Sequence, residues 1–168
     1  LGFVTISPSF QYNEYTAFNQ IEKFWYYDDE GLLVESIDTL GGFFADRDWS
    51  ASISANTRFY GMFTFKEKRR VKAIRHVLTP NLSASYTPER SRIRAQELGQ
   101  DVMEWNPWEV NRFTPIDIRE SGSINFSLNQ NLEAKVTDKN SGNIKKVKIV
   151  ESFTTSTGYN FLADSLQL

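Results

Sequence analysis

WSASISANTRFYGMFTFKEKRRVKAIRHVLTPNLSASYTP, residues 49–88, is the stretch whose reading decides the fold. In its first half Trp49, Ala51, Ile53, Ala55, Phe59, Phe63 and Phe65 take odd positions. Ser50, Ser52, Ser54, Asn56, Arg58 and Thr64 take even ones, which is the period of two that marks a strand. After a basic turn, Ile74, Leu78, Leu82, Ala84 and Tyr86 alternate with Arg75, Thr79, Asn81, Ser83, Ser85 and Thr87. Two long strands therefore pair as a hairpin. Strands of soluble domains usually stop at about five or six residues, whereas strands twice that length suit a tilted sheet crossing an apolar band about 25 Å tall. On this reading the Ser/Thr/Asn face looks into a wet lumen and the aromatic and aliphatic face into lipid.

Composition agrees. The 168 residues are 40% hydrophobic with a negative mean hydropathy, and no run of eighteen apolar residues exists, which argues against a transmembrane helix. A barrel strand escapes hydropathy because only every second residue is apolar. The net charge of −2 gives no global attraction to nucleic acid, and none is expected as a partner. Cysteine is absent, so neither a disulfide framework nor a thiolate metal site is built within these residues. The chain opens on LGFVTISPSF and closes on ADSLQL; both ends read as cuts, and a fragment of something larger is expected.

Working outward, residues 3–15 alternate Val4, Ile6, Pro8, Phe10 and Tyr12 with Thr5, Ser7, Ser9, Gln11 and Asn13, a strand whose pairing should break or bulge at Pro8. Residues 17–28 form a second, less regular strand ending in the run FWYY, which suits either a membrane-interface girdle or an ordinary aromatic patch. Residues 29–46, with their acids and Gly41-Gly42, read mainly as a loop. Residues 89–121 lack sustained alternation and read as a long outer loop, with a short helix between Arg92 and Met103 weakened by Gly99 and ended by Pro107. Trp105 and Trp108 are expected to pin that loop rather than to stack on a ligand.

Ile124, Phe126, Leu128, Leu132, Ala134 and Val136 alternate with Ser123, Asn125, Ser127, Asn129, Asn131, Glu133 and Lys135, the cleanest strand of the chain. A turn at DKNSGN, reversed by Ser141-Gly142, leads into a last strand through Val147, Ile149, Phe153, Thr155, Tyr159 and Phe161. The expected fold is all-β: about six antiparallel strands of a transmembrane outer-membrane β-barrel, with residues 1–168 a partial barrel domain and a long loop at 89–121. Connections are expected to be shorter after the first, third and fifth strands and longer after the second and fourth, the asymmetry of periplasmic turns and outer loops.

No catalytic, cofactor-binding or metal-ligating residue is expected. His76, the sole histidine, lies on the apolar parity beside basic residues and has no second histidine or patterned carboxylate to make a site with. The cluster Lys66, Lys68, Arg69, Arg70, Lys72 and Arg75 has the density that binds phosphate, and equally that of a solvated turn whose charges discourage sheet aggregation.

AIRHVLTPNLSASYTP, the preceding RFYGMFTF, and the later GSINFSLNQNLEAKV and IKKVKIVESFTTSTGYNFLADS resemble the barrel region of LptD, the lipopolysaccharide-assembly outer-membrane protein, in its Bacteroidetes-type form. The resemblance spans most of the chain from ISPSF onward. It implies a six-strand part of a larger barrel in the bacterial outer membrane. The implied partners are lipopolysaccharide, outer-membrane lipids, a lipoprotein plug and the periplasmic bridge proteins of the transport machinery. It brings no catalytic residue, and no cofactor is expected. A Ser/Asn/Thr lumen carrying Arg58, Lys135 and Lys148 on its polar parity would meet sugar and phosphate through weak, multiple contacts that favour passage over capture. The other function class compatible with the strands is a secreted or periplasmic antiparallel β-domain binding glycans or partner proteins through aromatic loops.

Overall fold

A computed structural model describes residues 3–66, 69–139 and 142–163. Its strands are β1 (Thr5–Tyr27), β2 (Leu33–Asn56), β3 (Phe59–Thr64), β4 (Val71–Thr87), β5 (Arg94–Leu98), β6 (Asp101–Trp105), β7 (Ser121–Thr137) and β8 (Ile144–Asn160). The main sheet runs β1-β2-β4-β7-β8 with β3 continuing β2 along β4, and β5 and β6 form a separate two-stranded sheet. Among the described residues β1 and β8 do not pair, so the sheet is open. It is a mostly antiparallel β fold of the kind a barrel fragment has. The chain divides into two compact units, one of residues 1–9, 51–86 and 122–168, the other of residues 10–50 and 87–121.

In the first unit the alternation seen in the sequence becomes two chemically different faces. Register places Ile53 opposite Ala84 and Ala55 opposite Leu82, while Ser52 faces Ser85, Ser54 faces Ser83 and Asn56 faces Asn81. Across β7 and β8 the apolar side holds Ile124 against Tyr159, and the polar side Ser127 against Ser156 and Asn129 against Thr154. β4 and β7 join with matching faces: the Ser85 and Ser123 hydroxyls lie 3.1 Å apart, Arg75 approaches Glu133 at 3.8 Å, and the Thr137 N–H donates to the Arg70 carbonyl at 2.9 Å. Those three contacts run in opposite directions along the two strands, which makes the pair antiparallel. Among the described residues of this unit the buried apolar side chains are Ala73 and Ala134 alone, whereas Ile53, Leu82, Phe126 and Phe153 stay exposed. This sheet has an apolar face and almost no core.

The expected hairpin at 49–88 is present, with a break. β2 and β3 are separated at Thr57 and Arg58, where the Thr57 N–H still reaches the Pro80 carbonyl at 3.3 Å and the Thr57 hydroxyl donates to the Phe3 carbonyl at 3.0 Å. Pro80 and Pro8 both lie within strands. β1 runs through Pro8 without interruption, and as it ends the strand order an edge there tolerates a missing N–H. The β7–β8 ladder shifts register between Gln130 and Glu133, an irregularity that alternation of β7 alone does not reveal.

The second unit holds the larger corrections. The two strands read at 3–15 and 17–28 are one strand, β1, and residues 29–46 are not a loop: from Leu33 onward they belong to β2. The reversal is confined to Asp28–Leu32. The Asp28 carboxylate accepts the Glu30 and Leu32 N–H groups at 3.0 and 2.8 Å, and Gly31 adopts φ +79, which a side chain would resist. The long connection expected after the second strand is therefore a tight turn, and only the segment after β4 is long. The helix expected between Arg92 and Met103 is the β5–β6 hairpin, whose two-residue loop places Gly99 at φ +68, the position primed hairpin turns reserve for glycine. FWYY reads as unbroken aromatic character, yet from Phe24 to Tyr26 it alternates in direction: Phe24 and Tyr26 are exposed while Trp25 packs on Trp105 with ring centroids 5.6 Å apart, and Tyr27 beside the turn is exposed as well. In the DKNSGN turn, Gly142 takes φ +67 and its N–H reaches the Asp138 carbonyl at 3.1 Å, while Ser141 lies outside the described residues.

Candidate functional site

Two constellations stand out. In the second unit, odd positions of β1 and even positions of β2 turn toward residues 87–121, and Asp46 and Asp48 lie on that side. Arg92 enters between them with its side chain 1% exposed. Its Nε donates to Asp46 Oδ2, one Nη to Asp48 Oδ2 at 2.8 Å and the other to the Ile116 carbonyl. Arg90 adds a second guanidinium on Asp46 (Nε to Oδ1, 2.8 Å), Asn13 donates to Asp48 at 2.6 Å, and Tyr15 lies under the Arg92 guanidinium at 5.6 Å. Burial alone would raise the Asp46 carboxyl, but the bonds and charges of Arg90 and Arg92 outweigh it and hold the group below the ordinary carboxylate range. This is a lock rather than a reactive site: every charge faces an opposite one and no nucleophile takes part.

The same segment also covers the free edge of β1. The Gln96 side-chain amide accepts the Trp25 N–H at 3.0 Å and donates to the Trp25 carbonyl at 2.8 Å, so one amide takes the place of a neighbouring strand. The Pro107 carbonyl accepts the Ile21 N–H at 3.0 Å and Asn111 donates to the Asn19 carbonyl at 3.1 Å. Trp105 and Trp108 are buried and serve, as expected, to hold the segment down. Trp108 is positioned by its own N–H on Asn106 Oδ1 at 2.9 Å. The Asp46–Arg92–Asp48 cluster escaped sequence reasoning because the aspartates lay in what read as a loop; their even parity, shared with Ser50, Ser52 and Ser54, was the available signal.

The second constellation is the polar face of the first unit. Asn129 Nδ2 donates to the Ser152 and Thr154 hydroxyls at 2.7 and 2.8 Å, and Asn131 to the Glu151 carbonyl at 2.6 Å. Of the three cations read onto this face, Arg58 falls in the break between β2 and β3 and lies 3.5 Å from the Tyr60 hydroxyl. Lys148 is engaged by Glu151, and Lys135 stands directly opposite Lys146. His76 is opposite Gly61, on the side of Phe63 and Ile74. Within the basic turn, Arg69 lies over the Phe65 ring at 5.9 Å, while Lys68 falls outside the described residues. Among the described residues no group of three metal-ligating side chains converges.

The family model described as LptD protein matches residues 1–168. This chain belongs to the LptD family. Members of that family are non-catalytic transport and assembly factors associated with the lipopolysaccharide translocon, and family membership implies an outer-membrane location. No curated protein and no solved structure matches the chain.

Proposed function

We propose that this chain forms part of the wall of an outer-membrane β-barrel translocon that assembles lipopolysaccharide into the outer leaflet. The observation that carries the reading is the sheet of the first unit, whose apolar face exposes Ile53, Leu82, Phe126 and Phe153 while its opposite face is lined by serine, asparagine and threonine. A soluble sheet with so little core would leave that apolar surface in water, whereas a bilayer covers it. β4, β7 and β8, at 17 residues each, exceed the 9–11 residues a tilted strand needs to cross the hydrocarbon. The polar face guides the saccharide and phosphate portions by weak contacts, with a lipoprotein plug and periplasmic bridge proteins completing the machine. In this arrangement the turns at residues 65–70 and 138–143 are periplasmic and residues 87–121 lie outside the cell.

The test is site-specific photocrosslinking in cells that express the full-length protein. A photoreactive residue at Ser127 or Asn129 should capture lipopolysaccharide during export. If both positions stay unlabelled while the cells continue to export the glycolipid through this protein, the polar face is not its route.

A further inference from the structure

We propose that the polar face of the first unit carries a phosphate-binding site built on Lys135 and Lys146, an assignment that rests on the translocon reading and adds to it the group recognised. Register sets these lysines directly opposite each other on β7 and β8. Facing residues have Cβ atoms about 4.5–5.5 Å apart, and like charges in that position destabilise a sheet. Neither ammonium has a hydrogen-bond or ion-pair partner among the described residues. A like-charge pair left unneutralised is a cost that a bound anion would remove.

The surroundings fit one anion in particular. A cavity of about 170 Å³ is lined by Met62, Arg75, Glu133, Lys135 and Lys146, together with Ala73 and Ala134. Three cations and one carboxylate leave a formal excess of two positive charges, the complement of a dianionic phosphate monoester. Arg75 is held in place by Glu133 at 3.8 Å and by the Tyr60 ring at 5.4 Å, so its guanidinium is oriented, and the two ammonium groups add rotatable donors. The cavity admits a phosphate and part of an attached sugar, and is too small for a peptide strand. Charge-assisted bonds from ammonium and guanidinium to phosphate oxygens would hold it. Free phosphate and a phosphate borne on a glycolipid present the same group, and the experiment separates them.

Full-length protein in uncharged detergent micelles is titrated with inorganic phosphate, followed by ³¹P line broadening. In parallel it is titrated with a phosphorylated diglucosamine glycolipid and with the dephosphorylated form of the same lipid. Inorganic phosphate should bind, the phosphorylated glycolipid should bind at least tenfold more tightly than its dephosphorylated form, and Lys135→Gln with Lys146→Gln should lower both affinities at least tenfold. Lys145→Gln, on the opposite face and paired with Asp138 at 2.7 Å, should change neither. Lys135→Glu is the decisive variant: it replaces a like pair by an opposite one, so thermal stability should hold or rise while phosphate binding falls tenfold or more. Phosphate affinity within twofold of wild type in Lys135→Glu or in the double glutamine variant overturns the proposal, as does preference for an acidic polypeptide that leaves phosphate unbound. If phosphate binds as described but the crosslinks at Ser127 and Asn129 fail, the translocation route falls and the phosphate site stands.

Discussion

Replacing Arg92 by alanine should release residues 87–121 from the β1–β2 hairpin of the second unit. The guanidinium is 1% exposed and sits between carboxylates that are 3% and 8% exposed, so its loss strands two buried negative charges. Breaking a buried pair from one side costs about 3–5 kcal/mol. Asp46 keeps Arg90 and Asp48 keeps the Asn13 amide, which places the effect at the lower end, about 3 kcal/mol, or about two decades in an opening equilibrium. Native-state hydrogen exchange of the full-length protein in micelles reads this directly, as a loss of about a hundredfold in protection across residues 87–121. Arg112→Ala, which among the described residues removes only a contact with the exposed Phe113 ring, should stay within about 0.5 kcal/mol of wild type. Arg92→Met keeps the apolar stem and should not rescue, whereas adding Asp46→Asn and Asp48→Asn to Arg92→Met should recover part of the loss, because the stranded charges are then gone. Protection in Arg92→Ala within threefold of wild type would refute the reasoning and reduce the cluster to the standing of a surface ion pair.

Other outcomes follow from the same geometry. Lowering pH should open the same segment: with Asp46 held below its ordinary value of about 3.8, its contribution is complete above that pH and is lost as pH falls through the lowered value, so exchange protection across 87–121 should drop only in that acid window. A membrane-impermeant thiol reagent applied to intact cells should modify Ser91→Cys, on the long segment, and spare Lys139→Cys, in the β7–β8 turn; the reverse pattern inverts the topology. Phe126→Leu combined with Leu128→Phe should leave folding stability nearly unchanged, since lipid accepts exchanged apolar shapes. A loss of about 1–3 kcal/mol would mean that this face packs against protein. Gly99→Ala should cost about 1–2 kcal/mol by forcing a side chain into the left-handed region, seen as faster exchange confined to β5 and β6.

The sequence by itself determined the class of element and the chemistry of the two faces wherever alternation was clean. From Ser50 to Asn56, from Asn81 to Tyr86 and from Ser123 to Asn129, polarity changes at every residue, and the register sets serine against serine and aliphatic against aliphatic as that pattern requires. Period two is a property of the extended backbone, so it is legible without knowing any neighbour. Tertiary structure decided what alternation could not carry. Residues 33–48 became strand because β1 supplies a partner and residues 87–121 cover one side, which turns Leu40, Phe44, Asp46 and Asp48 into a single inward row though they share no polarity. Asp46 and Asp48 find Arg92 more than forty residues away, and Gln96 finds the Trp25 backbone across seventy-one. Contacts at that separation leave no local periodicity. The facing of Lys135 and Lys146 likewise depends on register across a ladder that shifts between Gln130 and Glu133, and only the paired strands reveal it.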